Sequence, residues 1–415
     1  MEKLVKNKNK RFLPVLLGTD ANAYGMARNF HQAYGIKSLA LGKIPLLETR
    51  HSKIVQVQTY EGFDTDEVFR EVLTNIADTY RPIYDNLILI ACGDRYTELI
   101  CSHKHWLSDY FIVPYIDLEL KNRLENKEEF YNICEEYGLD YPATVMLHKD
   151  DKPPFDLPFD YPIAVKASDS IEYVDLDFPG KKKAYKANSP AELEQIFSDI
   201  YGAGYTGTLI VQDFIPGDDA TMYVLNSYSD ANGKVQAMCL GHCVLEDYTP
   251  AGIGNYNAII QEGIQEVYDK YKAFLEAIGF VGFSNFDIKY DERDGRYKVF
   301  EINIRQGRSS FFTTVSGCNL VTYLVNDRIV HRQKPEVHYH NAPALWLHVP
   351  TRLVLEYAPE RVLPQIRRMM SAKKTDCTLL YDQDMTPYRR VMINRFYYQQ
   401  WKRYEDWFNK RSISD

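Results

Sequence analysis

The stretch FSNFDIKYDERDGRYKVFEINIR, residues 283–305, alternates apolar and polar side chains on either side of a short charged turn that contains Gly295. Alternation of period two is the mark of a strand whose two faces see different surroundings, and two such runs about a tight turn read as a β-hairpin. Phe286, Ile288 and Tyr290 share one face of the first strand, and Asp287 and Lys289 share the other. On the return strand Phe300 and Ile302 point one way while Glu301 and Asn303 point the other. The turn sets the two polar faces side by side, so three oxygen-bearing side chains converge: Asp287, Glu301 and Asn303. A hairpin with one apolar face must pack on other elements, which commits this part of the chain to a sheet-containing fold.

The rest of the chain supplies those elements. FLPVLLG (12–18) is an apolar run closed by glycine, and DANAYGMARNFHQAYG after it carries Ala23, Met26, Ala27 and Phe30 at helical spacing. LILIAC (87–92) repeats the pattern, and FIVPYI (111–116) reads as a further strand. Strand alternating with helix implies a parallel sheet covered on both faces. Residues 118–137 become helical and charged, and Gly138 is a C-cap. PIAVKAS (162–168) is a strand, and a helix over 190–201 starts from a Ser189 cap with Pro190 at its first position. From Thr208 to Asn303 strands dominate, broken by one helix over 267–278. The lysine-rich first ten residues read as a flexible lead-in. The expected divisions are 1–117, 118–335 and 336–415.

At 415 residues, with 45% hydrophobic and 26% charged side chains, the chain suits a folded protein of two to three domains. Its 49 basic and 57 acidic residues leave a net charge of −8, which removes the positive field that nucleic acid would require. No apolar run approaches the roughly 20 residues of a membrane span. Seven cysteines without a secretory leader lead to the expectation of reduced thiols in a cytoplasm. The tail differs: residues 385–415 hold seven basic against three acidic side chains, with Ile393, Phe396, Tyr397, Trp401, Tyr404 and Phe408 at helical spacing. That pattern fits either a helix packed on its own domain or a peripheral contact with a lipid surface.

Two carboxylates and an amide form a hard-cation site, of which Mg²⁺ bridging nucleotide phosphates is the commonest occupant. The alternative is a solvated hairpin face. Bound triphosphate also calls for cationic side chains. Lys166 sits in the otherwise apolar AVKAS, where packing gives a charge no reason to be, and Lys127 stands near a helix start in ENKEEF. VQDFIPGDD (211–219) leaves a strand at Pro216-Gly217, so its backbone can face an adenine edge and an acid beyond can take ribose hydroxyls. Arg305, Arg308, Ser309 and Ser310 follow the hairpin and can hold a phosphate or a carboxylate. GAGYTG (202–207) spells a dinucleotide fingerprint in the wrong context, after a helix and before a strand, and reads as a loop. Cys239, His242 and Cys243 lie within one strand without a second ligand pair and read as structural.

Taken in order, Lys127, Lys166, VQDFIPGDD, FDIKYD and FEINIR resemble the ATP-grasp superfamily of carboxylate-amine ligases. LGTDANAYGMARNFHQAYG, CGDRYTELI, GNYNAII and FEINIRQGRSSFF are more closely similar to the D-aspartate ligases of peptidoglycan cross-bridge synthesis, over about residues 12–325. The resemblance implies an α/β and α+β fold: a Rossmann-like domain preceding an ATP-grasp domain of two subdomains, with a C-terminal helical extension. It implies ATP and Mg²⁺ as cofactors, Lys127 and Lys166 on the phosphates, and Gln212, Asp213, Phe214 and Ile215 on the adenine hinge. Asp219 falls on the ribose, and Asp287, Glu301 and Asn303 fall on the metal. Many relatives carry an arginine two residues before the first metal ligand; here Asn285 stands there, which leaves the acyl-phosphate clamp to Arg305 or Arg308. The usual glycine-rich phosphate loop is replaced by SDSIEYVDLDFPGKKK, so Ser168, Ser170 or Lys181 to Lys183 would cover the phosphates. The implied substrates are D-aspartate and the lysine amine of a UDP-MurNAc-pentapeptide. Ligation of another amino acid to a different amine, and a non-catalytic ATP-binding scaffold, are the alternatives.

Overall fold

The computed structural model describes residues 11–168, 170–249, 252 and 254–414. The expected lead-in over residues 1–10 lies outside them. Three sheets follow one another along the chain. The first is parallel, with β1 (Phe12–Leu17), β2 (Ser38–Gly42), β3 (Val55–Thr59) and β4 (Asn86–Ala91) in the order β3-β2-β1-β4. Its centre is apolar on both faces, as a sheet sandwiched by helices requires. Helices Ala21–Tyr34, Asp66–Tyr80 and Asp94–Ser102 supply that cover, and Asp20 caps the first of them by accepting the Ala23 N–H.

Residues 111–116 do not form the expected strand. Ile112 makes a single bridge to Ile88, donating to the Leu87 carbonyl (2.7 Å) and accepting from Leu89 N–H (3.0 Å). Pro114, which has no N–H to offer, ends the pairing. The Pro114 carbonyl instead abuts Gly282, where φ is +94° and a Cβ would lie 1.9 Å from that oxygen, so only glycine fits this approach.

The second sheet is antiparallel, with β5 (Thr144–Leu147), β6 (Ile163–Ala167), β7 (Tyr185–Ala187) and β8 (Leu209–Asp213) in the order β5-β8-β6-β7. Leu147, Ile163, Val165, Leu209 and Val211 pack beneath helix Pro190–Gly202, whose Ser189 cap is as the sequence predicts. The alternate residues Met146, Lys166, Ile210 and Gln212 are thereby turned to the opposite face.

The third sheet has eight strands: β9 (Met222–Ser229), β10 (Val235–Glu246), β11 (Tyr256–Gln261), β12 (Gly282–Asp291), β13 (Arg296–Asn303), β14 (His338–His340), β15 (Leu345–Leu347) and β16 (Thr375–Cys377). The main path runs β13-β12-β9-β10-β11-β15-β16, with β14 beside β10. Residues beyond 335 thus extend this sheet.

No described helix is long and apolar enough to cross a membrane. The tail forms helix Pro387–Ser414, and its aromatic stripe faces inward. Ile393 and Tyr404 are buried, and Phe408 stacks edge-on against Tyr248 and Tyr357 at 5.0 and 4.8 Å. Tyr404 donates to the Glu246 carbonyl and accepts from Asn257 Nδ2 (2.8 Å). A lipid-surface role would draw on the same aromatic residues, and the chain's own core occupies them. Tyr404→Ala should therefore lower unfolding free energy by about 3 to 5 kcal/mol in urea titrations; an unchanged midpoint would mean the helix is not part of the core.

Candidate active site

Register places the hairpin's oxygen donors together. Asp287 stands directly opposite Glu301 and Asn285 opposite Asn303, with a bulge between Asp287 and Ile288. Asn303 Nδ2 donates to Asn285 Oδ1 (3.1 Å) and to Asp287 Oδ2 (3.3 Å), and Tyr256 donates its hydroxyl to Asp287 Oδ1 (3.3 Å). Burial, followed by repulsion from Glu301, pushes the Asp287 carboxyl well above the usual carboxylate range. The charge of Lys127 does the reverse for Glu301 and holds it low. A facing pair of acids with an amide beside it is a hard oxygen donor set.

Lys127 opens helix Lys127–Glu136, whose Asn126 cap accepts from Glu129 N–H. A cation at a helix start is electrostatically misplaced unless it serves an anion. Its Nζ contacts Glu301 Oε2 at 2.9 Å. Lys166 reaches the same space from β6: burial, then the nearby positive charge of Lys127, pulls its ammonium down to about 8. Lys127 and Lys166 thus stand over the two acids, a set of cationic and oxygen-donor groups suited to a polyanion together with a hard cation. Lys127, Lys166, Asp287, Glu301 and Asn303 therefore come together.

The hinge segment lies where the small sheet ends, but its side chains differ from the expectation. Gln212 is buried and donates to Tyr131 Oη (2.8 Å) and Thr144 Oγ1 (2.9 Å), so its amide ties β8 to the Lys127 helix. Phe214 lies beneath Lys186, whose Nζ is 4.6 Å from the ring centroid, and Lys289 at 5.7 Å. Ile215 is buried. Asp219 turns inward: its Oδ2 accepts from Glu246 N–H (2.8 Å) and Tyr248 Oη (2.6 Å), which commits it to β10 and away from a ribose. Its neighbour Asp218 is half exposed and pairs with Arg361 at 2.5 Å.

Arg305 forks onto Asp94, Nε at 2.7 Å and Nη2 at 2.6 Å, and so reaches from the hairpin to the parallel-sheet domain. Arg308 donates through Nη2 to the Tyr256 carbonyl (3.0 Å) and Asn257 Oδ1 (3.2 Å). Ser309 and Ser310 are buried at the next helix start. In the substituted phosphate loop, Ser168 Oγ lies 3.3 Å from Tyr205 Oη, and Lys181 donates to the Val174 and Leu176 carbonyls. The Ser170 side chain is outside the described residues. GAGYTG begins at Gly202, the last residue of helix Pro190–Gly202, and its remaining residues form the loop before β8. Cys239, His242 and Cys243 are buried along β10, and among the described residues no three His, Cys, Asp or Glu side chains form a metal cluster.

One ion network escaped sequence reasoning. Arg293, at the hairpin turn, reaches Asp213 at the end of β8 through Nη1 (3.0 Å) and Nη2 (2.5 Å) while Nε holds Asp291 (2.9 Å). Lys298 also contacts Asp291 (2.7 Å), whose side chain is 0% exposed. The turn composition DERDG favours a solvated loop, so nothing local marks Arg293 as a bridge between sheets.

A small antiparallel sheet facing a larger one across two lysines and two opposed acids, behind a parallel-sheet domain, defines an ATP-grasp enzyme. The fold is similar to an L-amino acid ligase from Bacillus licheniformis (TM-score 0.55, 14% identity, 77% of this chain and 74% of that one). It is also similar to N5-carboxyaminoimidazole synthetase from Staphylococcus aureus complexed with ADP (TM-score 0.57, 14% identity, 84% of each chain). No protein-family model matches. The sequence is 44% identical over 412 residues to a D-aspartate ligase of Enterococcus faecium (strain Aus0004), covering 97% of this chain and 98% of that protein. The chain belongs to the D-aspartate ligase family, and is an ATP-dependent, ADP-forming carboxylate-amine ligase.

The Arg293 bridge carries a stability prediction. Asp291 is held below the ordinary carboxylate range first by Arg293, so its contribution is present at neutral pH and fades only as pH falls through that lowered value. Arg293→Ala should cost about 1 to 3 kcal/mol at pH 7, because a buried carboxylate loses one of two cations, and should move acid unfolding to higher pH. Identical acid transitions for the two proteins would contradict this.

Proposed function

We propose that the protein activates the side-chain carboxylate of D-aspartate with ATP and joins it to the lysine side-chain amine of UDP-MurNAc-pentapeptide, in the cytoplasm, as a step of peptidoglycan cross-bridge synthesis. The observation that carries the catalytic part is the convergence of Lys127 and Lys166 on Asp287 and Glu301. The name of the Enterococcus faecium relative supports D-aspartate as the acid. Seven free, buried cysteines suit a reducing compartment.

A carboxylate oxygen is a poor leaving group in water, and an acyl phosphate supplies a better one. In this reading the γ-phosphoryl group of ATP passes in line to the acid, and the amine then displaces phosphate. Lys127 and Lys166 hold the triphosphate by charge, and the segment 212–215 borders the adenine with its backbone. Asp287, Glu301 and Asn303 would hold Mg²⁺, which when bound neutralises charge on the phosphates. Arg305, at the junction with the parallel-sheet domain, faces the side from which the acid enters and clamps the acyl phosphate. Catalysis is then positioning and charge stabilisation. We read 1–117 as the preceding domain, 118–335 as the ATP-binding domain and 336–415 as an extension that completes its sheet.

Purified protein with Mg²⁺ and ATP should release ADP only when D-aspartate and the pentapeptide precursor are both present. Release at the same rate without either would count against ligation, and preference for another acid in a D- and L-amino-acid screen would reassign the substrate. Glu301→Gln should reduce kcat by about 10² or more with an unchanged circular dichroism spectrum; near-normal turnover would remove Glu301 from the site.

A further inference from the structure

The junction between the parallel sheet and the loop after β13 holds charges that the phosphate machinery does not use. In the order β3-β2-β1-β4 the winding reverses at β1, and ligands of such sheets sit beyond the carboxyl ends of the strands at that point. Gly18-Thr19-Asp20 follow β1 and Cys92-Gly93-Asp94 follow β4. Thr49 Oγ1 donates to the Thr19 carbonyl (2.7 Å), which brings Glu48 beside Asp20. Arg389 donates to the Glu48 carbonyl (3.1 Å) and fixes that turn from below.

From the other side, Asn22 Nδ2 donates to the Gln306 carbonyl (3.1 Å) and Gln306 Nε2 to the Ala91 carbonyl (2.8 Å), docking the loop that carries Arg308 onto the crevice. Arg308 Nη1 lies 4.0 Å from Asp247 Oδ2, while its Nε has no hydrogen-bond partner among the described residues, nor has Nδ1 of His348, which is buried behind it. Burial raises both the Asp20 and Glu48 carboxyls, Glu48 further through repulsion from Asp20; the charges of Arg305 and then Arg308 relieve Asp20 in part, and those of Arg308 and Arg389 relieve Glu48. Asp20, Glu48 and Arg308 therefore lie close enough for each to feel the others' charge, with Arg305 also near Asp20 and Asp247 near Arg308.

We infer that this crevice receives the charged head of the amino-acid substrate, with Asp20 and Glu48 taking the α-ammonium and Arg308 the α-carboxylate. The inference rests on the amino-acid ligase reading above. A phosphate would be repelled by two acids. An attacking amine must be neutral, whereas paired buried carboxylates would keep it protonated, so the acids suit an ammonium that takes no part in the reaction. The arginine's remaining donors match a carboxylate's planar edge. The substrate's reacting carboxylate is left to extend toward Arg305 and the hairpin.

Asp20→Asn and Glu48→Gln test this, since asparagine caps a helix as well as aspartate and glutamine is isosteric with glutamate. Each variant should raise KM for D-aspartate about tenfold or more, the loss of one charge-assisted contact, with KM for ATP and for the precursor within about twofold of the parent. The parent's preference for D-aspartate over succinate, which lacks the ammonium, should fall about tenfold in either variant. An unchanged KM and preference in Glu48→Gln, which alters no cap, would overturn the assignment, as would a change confined to the precursor's KM. ADP release by the parent with no amino acid at all would instead sink the ligase reading.

Discussion

Two carboxylates facing each other across one hairpin set the terms for the rest of the molecule. Asp287 and Glu301 are brought opposite by β-register, and burial makes their mutual repulsion expensive. Lys127 relieves Glu301 directly, and Lys166 stands in the same space on the other sheet. The pocket is thus assembled from elements that would not be stable with those charges alone. In the proposed reading a divalent cation with a polyphosphate completes it chemically.

The parallel-sheet domain is bound to that slot by specific devices. Arg305 grips Asp94, Asn22 and Gln306 exchange hydrogen bonds, and Pro114 meets Gly282 where no side chain fits. These contacts converge near the carboxyl ends of β1 and β4, where the inferred amino-acid crevice lies. The tail helix closes the arrangement from beneath: Arg389 fixes the turn of Glu48 and Tyr404 anchors Asn257, whose side chain in turn accepts from Arg308. Long-range hydrogen bonding of this kind lets the last thirty residues support a site built from the first fifty.

Much of this was legible in the sequence because alternation and burial leave local marks. The hairpin donors are fixed by period two, and Lys166 stands out as a charge inside an apolar strand. Asp219 shows the limit: the resemblance places it on a ribose, yet Tyr248 on a distant segment captures the carboxylate. Residues 111–116 have strand composition that Pro114 overrides. An aromatic stripe on a basic helix looks the same whether it covers protein or lipid, and only packing decides. Arg293, Asp20 and Glu48 sit in turns whose composition is ordinary, and their significance comes from partners far along the chain.

The most direct test of the central claim is the anomalous scattering of Mn²⁺ in crystals grown with a non-hydrolysable ATP analogue. The account predicts a peak between the Asp287, Glu301 and Asn303 oxygens that also touches the phosphates, with the Lys127 and Lys166 ammonium groups on the same phosphate chain. A metal peak elsewhere, with the hairpin acids still paired only to protein side chains, would contradict it.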